Sequence, residues 1–233
     1  MRFDAILWDV DGTLLDFIAS QRDSLFQCFE LFGFGKCTEE MHLRYSAINI
    51  SLWEMLERGE RTKAEILTER FCRFFEEIGL PVDQAEAFNA EYEKRLPDTI
   101  RFFPHALETL EALKGKVIQC SVTNGTQSVQ ERKMNETPLG TLFDYLFISE
   151  AVGAEKPDPR FFDVVFQTLG DIPKDRILIV GDSLTSDILG GLRAGIHTCW
   201  YNPDAKKGRE EIRPEVEIRD LAEVLTLAGV SIK

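Results

Sequence analysis

Short apolar runs, each long enough for one strand, constrain this chain more than any other feature. Phe3–Trp8 is rich in large apolar residues and stops at Asp9 and Gly12. Similar runs recur at Lys116–Val122, Tyr145–Ser149, Arg176–Val180 and His197–Tyr201. Between the later runs, helical periodicity covers Pro104–Leu113, Gln127–Asn135, Pro159–Leu169 and Ser186–Ala194. Strands alternating with helices, without two-residue hairpin turns, predict an α/β fold: a doubly wound parallel sheet covered on both faces. In such sheets the ligand crevice lies beyond the carboxyl ends of the strands. The clusters DVDGT, TNGT and GDS each follow an apolar run directly, so they are expected to meet at one edge.

Residues 16–96 read differently. Apolar residues fall at helical spacing in Leu25, Phe26, Phe29, then Leu52, Trp53, Leu56, then Ile66, Leu67, Phe71, Phe74, Phe75, Ile78. Gly33, Gly35, Gly59 and Gly79–Pro81 punctuate them, which predicts about four helices in a small bundle. The length of 233 residues accommodates a sheet domain of residues 1–15 and 97–233 with a helical insertion of residues 16–96. The aromatic residues of the insertion read as core. Asn49, Trp53 and Arg58 are candidates for touching a substrate, although a surface or bundle-core role is the stronger expectation for each. Asn202–Pro214 is polar and reads as a solvated loop.

Composition narrows the function classes. A formal net charge of −13 argues against a nucleic-acid polymer or an anionic membrane as partner, because both require a basic face. A small phosphorylated substrate remains compatible, since one cation and one lysine invert the local field. The cysteines, Cys28, Cys37, Cys72, Cys120 and Cys199, form no C-x-x-C and have no histidine at zinc spacing. Cys120 and Cys199 lie in apolar runs and are expected as buried thiols; the scattered set suits a reducing cytoplasm. His42, His105 and His197 have no metal spacing and read as packing or surface residues. Asp4, Asp9 and Asp11 in the first apolar stretch argue against a secretory leader, and no apolar run approaches a membrane span.

The polar clusters carry the chemistry. In an extended segment Asp9 and Asp11 face the same side, and Gly12 permits a sharp turn. Two carboxylates at one strand end must share a proton or bind a hard cation. Asp182 can add a carboxylate to that cation, although an N-cap role for Asp182 or Ser183 explains Gly181-Asp182-Ser183 about as well. Asp187 either orients a metal ligand or sits in the first turn of a helix. Thr123-Asn124-Gly125 supplies a hydroxyl and turn amides that can hold phosphate oxygens, and equally reads as an ordinary turn. Pro157 biases Lys156 towards an extended conformation. Three acids, a hydroxyl and an ammonium at strand ends are the inventory of phosphoryl transfer.

DVDGT, TNG, Lys156-Pro157 and GDSLTSD, in this order, resemble the four signature motifs of the haloacid dehalogenase-like hydrolase superfamily. The helical insertion resembles that family's cap, expected to close over the site. The resemblance spans essentially the whole chain and implies a magnesium-dependent phosphatase. Asp9 would be the nucleophile that forms an aspartyl-phosphate. Asp11 would protonate the leaving oxygen and then deprotonate water, while its backbone carbonyl binds magnesium. Thr123, Asn124 and Lys156 would hold the phosphoryl group. Asp182 would complete the magnesium shell with Asp9, supported by Asp187 and Ser183. The dehalogenases that named the superfamily lack the second acid of the first motif. Asp11 therefore favours a phosphatase, because an alkoxide leaving group needs a proton and a halide does not.

Gly181–Pro203 and Phe102-Phe103-Pro104 resemble the bacterial 5′-nucleotidases that act on pyrimidine nucleotides, implying a nucleoside monophosphate substrate. Trp200-Tyr201 could stack on a base, although sheet-end packing is the stronger expectation. A sugar-phosphate or phosphoglycolate phosphatase, or a phosphomutase, would use the same core. A phospho-aspartate signalling receiver shares the sheet and the acids but is disfavoured by the insertion and by Asp11.

Overall fold

A computed structural model describes residues 2–230, which divide into two compact units. One comprises the chain up to Asp16 and from Phe102 onward; the other is Phe17–Arg101. The chain runs from strand β1 (Ala5–Trp8) into the second unit's helices α1 (Phe17–Leu31), α2 (Glu39–Glu57), α3 (Lys63–Ile78) and α4 (Ala85–Arg95). It returns through α5 (Ala106–Leu113), β2 (Ile118–Thr123), α6 (Gln127–Glu136), α7 (Leu139–Leu142) and β3 (Tyr145–Ile148). Then follow α8 (Ser149–Val152), α9 (Pro159–Leu169), β4 (Ile177–Gly181), α10 (Leu189–Ala194), β5 (His197–Tyr201), β6 (Val216–Ile218) and α11 (Glu223–Leu227).

The six strands form one parallel sheet in the order β3-β2-β1-β4-β5-β6. Every residue of β1 and β4 is buried, as their unbroken apolar runs require of central strands covered on both faces. A core of Leu7, Val122, Ile177 and Ile179 packs against Phe161, Phe162 and Val165 of α9. That helix begins where its sequence dictates: Asp158 accepts a hydrogen bond from the Arg160 amide, and Pro159 occupies the first turn. Strand order reverses between β1 and β4, so a crevice opens beyond their carboxyl ends. Strand β6 is a short edge strand, and its mixed sequence VEI gives no apolar run by which to read it.

In the second unit, α3 carries a complete capping box between Thr62 and Glu65 and ends at Gly79 in the left-handed conformation. Phe29, Phe71, Phe74, Phe75 and Phe88 form its buried aromatic core, with Tyr45 stacked on Phe71 at 4.7 Å between ring centroids. Asn49 is buried and donates to Gln21, Arg58 is an exposed partner of Glu60, and Trp53 packs at the edge of the Leu52–Leu56–Ile66 cluster. This unit extends past the expected boundary at residue 96. Leu96 and Pro97 are buried in a turn after α4, while Thr99 and Arg101 donate to Asp23 of α1. Among the described residues, no helix is long and apolar enough to cross a membrane.

Candidate active site

Asp9 leaves the tip of β1 with its amide donating to the Val180 carbonyl of β4 at 2.9 Å, which fixes it beside the start of the next loop. Asp182 follows β4 immediately. The Thr13 hydroxyl joins them, lying 3.1 Å from Asp9 Oδ2 and 3.4 Å from Asp182 Oδ1. Gly12 permits this approach: its φ is +97°, and a Cβ there would stand 2.6 Å from Asp182 Oδ2.

Lys156 crosses to the same point from the loop before α9. Its ammonium is 1% exposed and donates to Asp9 Oδ1 at 2.8 Å, Asp187 Oδ1 at 2.6 Å and the Val122 carbonyl at 2.7 Å. A buried lysine is tolerable only with such partners, and the two carboxylates hold its pKa above the usual lysine range despite burial. The Lys156-Pro157 peptide bond is cis. The Asn124 side chain is spent on this loop, which leaves only the turn amides of Thr123-Asn124-Gly125 for the expected hold on phosphate. Its Oδ1 accepts from the Lys156 amide at 2.8 Å, and its Nδ2 donates to the Lys156 carbonyl at 2.8 Å and the Ser186 hydroxyl at 3.3 Å. A planar amide bonded on both edges has no donor left to turn towards a ligand.

Burial pushes Asp9 up to about 7, outweighing the lowering effect of Lys156, with Asp187 and Asp11 adding to the rise. Asp182 is raised well above the carboxylate range by burial, then by the charges of Asp9 and Asp187. One oxygen from each of Asp9, Asp182 and Asp187 lies within 4.8 Å of the others. Three acids facing one ammonium leave uncompensated negative charge, and an all-oxygen donor set fits a hard divalent cation.

Thr123 ends β2 nearby, and its hydroxyl accepts from the Gly125 amide at 3.0 Å. Ser183 caps the turn after Asp182, its hydroxyl accepting from the Ser186 amide at 3.1 Å. Asp187 sits in a π-helical turn, Leu184–Ile188, where its second oxygen accepts from the Ser183 amide at 3.1 Å. The Asp11 carboxylate is held by two side chains of α6. Gln130 Nε2 donates to it at 2.7 Å and Lys133 Nζ at 2.5 Å. Thr13, Gln130 and Lys133 escape sequence reasoning, although the last two stand three apart on one helix, the spacing that puts side chains on a common face. Trp200 is buried against Leu184, Ile188 and Ile212, and its indole donates to the Asp182 carbonyl at 2.9 Å, so it packs the sheet end. His42, His105 and His197 bond to Gln21, Asp220 and Glu215 respectively, none of them in the acid trio.

Residues 6–201 match the family model described as haloacid dehalogenase-like hydrolase. The structure of the HAD-hydrolase YfnB from Bacillus subtilis, described as bound to magnesium, is similar with a TM-score of 0.93 and 33% identity, covering 99% of this chain and 100% of that one. The pyrimidine 5′-nucleotidase YjjG of Escherichia coli is 33% identical over 96% of this chain and 97% of its own. The pyrimidine 5′-nucleotidase PynA of Streptococcus pneumoniae is 31% identical over 97% and 94%. With the signature motifs converging on β1 and β4, and relatives of this identity along nearly its whole length, the chain belongs to the haloacid dehalogenase-like hydrolases.

Proposed function

We propose that the protein is a magnesium-dependent phosphatase working through an aspartyl-phosphate on Asp9, and that its substrates are pyrimidine nucleoside 5′-monophosphates. The observation that carries the chemistry is the meeting of the Asp9, Asp182 and Asp187 carboxylates within 4.8 Å beside one buried ammonium. Asp9, Asp182 and the Asp11 carbonyl would hold magnesium, which supplies charge neutralisation for the phosphoryl oxygens. Asp187 holds the Lys156 ammonium beside Asp9.

An Asp9 oxygen attacks phosphorus, a bond to phosphorus forms and the ester P–O bond breaks. Protonated Asp11 gives its proton to the departing oxygen. Water then attacks phosphorus and yields a proton to the Asp11 carboxylate, the Asp9 O–P bond breaks, and phosphate leaves. Thr123 would hold a phosphoryl oxygen, Lys156 would take another once the Asp9 oxygen it now bonds turns to phosphorus, and Asn124 fixes the backbone that presents Lys156. The substrate class is supported by two relatives of similar length, both named pyrimidine 5′-nucleotidases. A cytoplasmic location is supported by Cys28, Cys37, Cys72, Cys120 and Cys199, which are free thiols among the described residues.

A panel of phosphate esters assayed with magnesium and with a chelator tests this. Uridine and thymidine monophosphates should be preferred, with free phosphate as product and no turnover in chelator. Equal rates in chelator would sink the cation; preference for sugar phosphates, or release of an isomer, would sink the substrate class.

A further inference from the structure

We infer that Lys133 and Gln130 position Asp11 for its proton transfers, and that residue 125 is glycine to admit Gln130. Both side chains project from α6 and are about 1% exposed. Each takes a different oxygen of one carboxylate: Lys133 Nζ donates to Asp11 Oδ1 at 2.5 Å and Gln130 Nε2 to Oδ2 at 2.7 Å. Two donors on two oxygens fix the plane of the carboxylate as well as its place.

Gly125 completes the arrangement. A Cβ at this position would stand 2.3 Å from Gln130 Nε2 and 2.9 Å from its Cδ. Any side chain at 125 therefore pushes the Gln130 amide off Asp11. The Gly125 amide is itself held by the Thr123 hydroxyl at 3.0 Å, so the turn that presents Thr123 also opens the channel for Gln130. Lys133 and Gln130 bond the Asp11 carboxylate and act on the reaction only through it; they are positioning residues.

The inference rests on the proposed role of Asp11, and the test separates the two. kcat/KM covers the steps up to departure of the leaving group. It is measured for uridine monophosphate, whose alkoxide needs a proton, and for p-nitrophenyl phosphate, whose phenolate does not. Asp11→Asn should lower the first by about 10²-fold or more relative to the second. Lys133→Met and Gln130→Ala should each show the same selectivity, by about tenfold. Gly125→Ala, which leaves every charged pair intact, should reproduce Gln130→Ala, and Lys133→Arg should recover much of the loss. If Asp11→Asn slows both esters equally, the role of Asp11 is wrong. If Asp11→Asn is selective while Lys133→Met, Gln130→Ala and Gly125→Ala slow both esters alike, or neither, the inference is overturned and the role of Asp11 stands.

Discussion

Replacing Lys156 with methionine keeps the length of the stem and removes only the ammonium. Asp9 Oδ1, Asp187 Oδ1 and the Val122 carbonyl then lose a donor at 2.8, 2.6 and 2.7 Å respectively, in a site where the lysine was 1% exposed. Breaking a buried pair in this way costs about 3–5 kcal/mol. With a urea slope of about 2–3 kcal/mol/M the midpoint should fall by ~1–2 M, measured by circular dichroism in chelator. The loss should depend on pH. Asp9 is already raised to about 7 with Lys156 present, and without that ammonium it binds its proton more tightly still in the folded state than in the unfolded one. Where the folded state binds more protons, stability falls as pH rises, so the deficit grows from pH 5 to pH 7.5. A deficit below about 1 kcal/mol at pH 7.5, or one equal at both pH values, would refute this account of the buried triad.

The same sign governs the cation. Asp9 and Asp182 are both raised, so chelated wild-type protein should lose stability as pH climbs from about 4 to 7. Magnesium should therefore raise the melting temperature more at pH 7.5 than at pH 5 in a scanning calorimeter. Asn124→Ala removes both bonds to the Lys156 backbone and should cost about 1–3 kcal/mol in urea unfolding, with a fall in kcat larger than the change in KM. Gly12→Ala places a Cβ 2.6 Å from Asp182 Oδ2 at a φ of +97°. The magnesium concentration for half-maximal activity should rise about tenfold or more, equivalent to ~1.4 kcal/mol of lost binding.

The central sheet is legible because fully buried parallel strands must be apolar throughout, and runs such as Ala5–Trp8 and Ile177–Gly181 carry that requirement openly. A polar residue directly after such a run can only stand at a strand tip, which is why Asp9, Thr123 and Asp182 can be expected at one edge. Edge strand β6 has one covered residue, Ile218, and leaves no comparable pattern. Side-chain direction is the less readable part. Asn124 sits in the expected turn, yet its amide fits the Lys156 backbone, a pairing set by a loop 32 positions away. Lys133 and Gln130 belong to a helix of polar sequence, in which a buried lysine looks like any solvated one until its partner 122 positions distant is known. The end of the helical unit, too, is decided by contacts across the fold: Thr99 and Arg101 bond Asp23, 76 and 78 positions away.

Turnover through Asp9 requires a covalent bond between its carboxylate and phosphorus. Enzyme mixed with phosphorus-labelled uridine monophosphate and quenched in acid within milliseconds should carry label on the peptide containing Asp9, removable by hydroxylamine and chased away as free phosphate appears. The account is contradicted if phosphate is released in a burst with no label at Asp9, or if the label persists for minutes without turnover, as a signalling receiver would hold it.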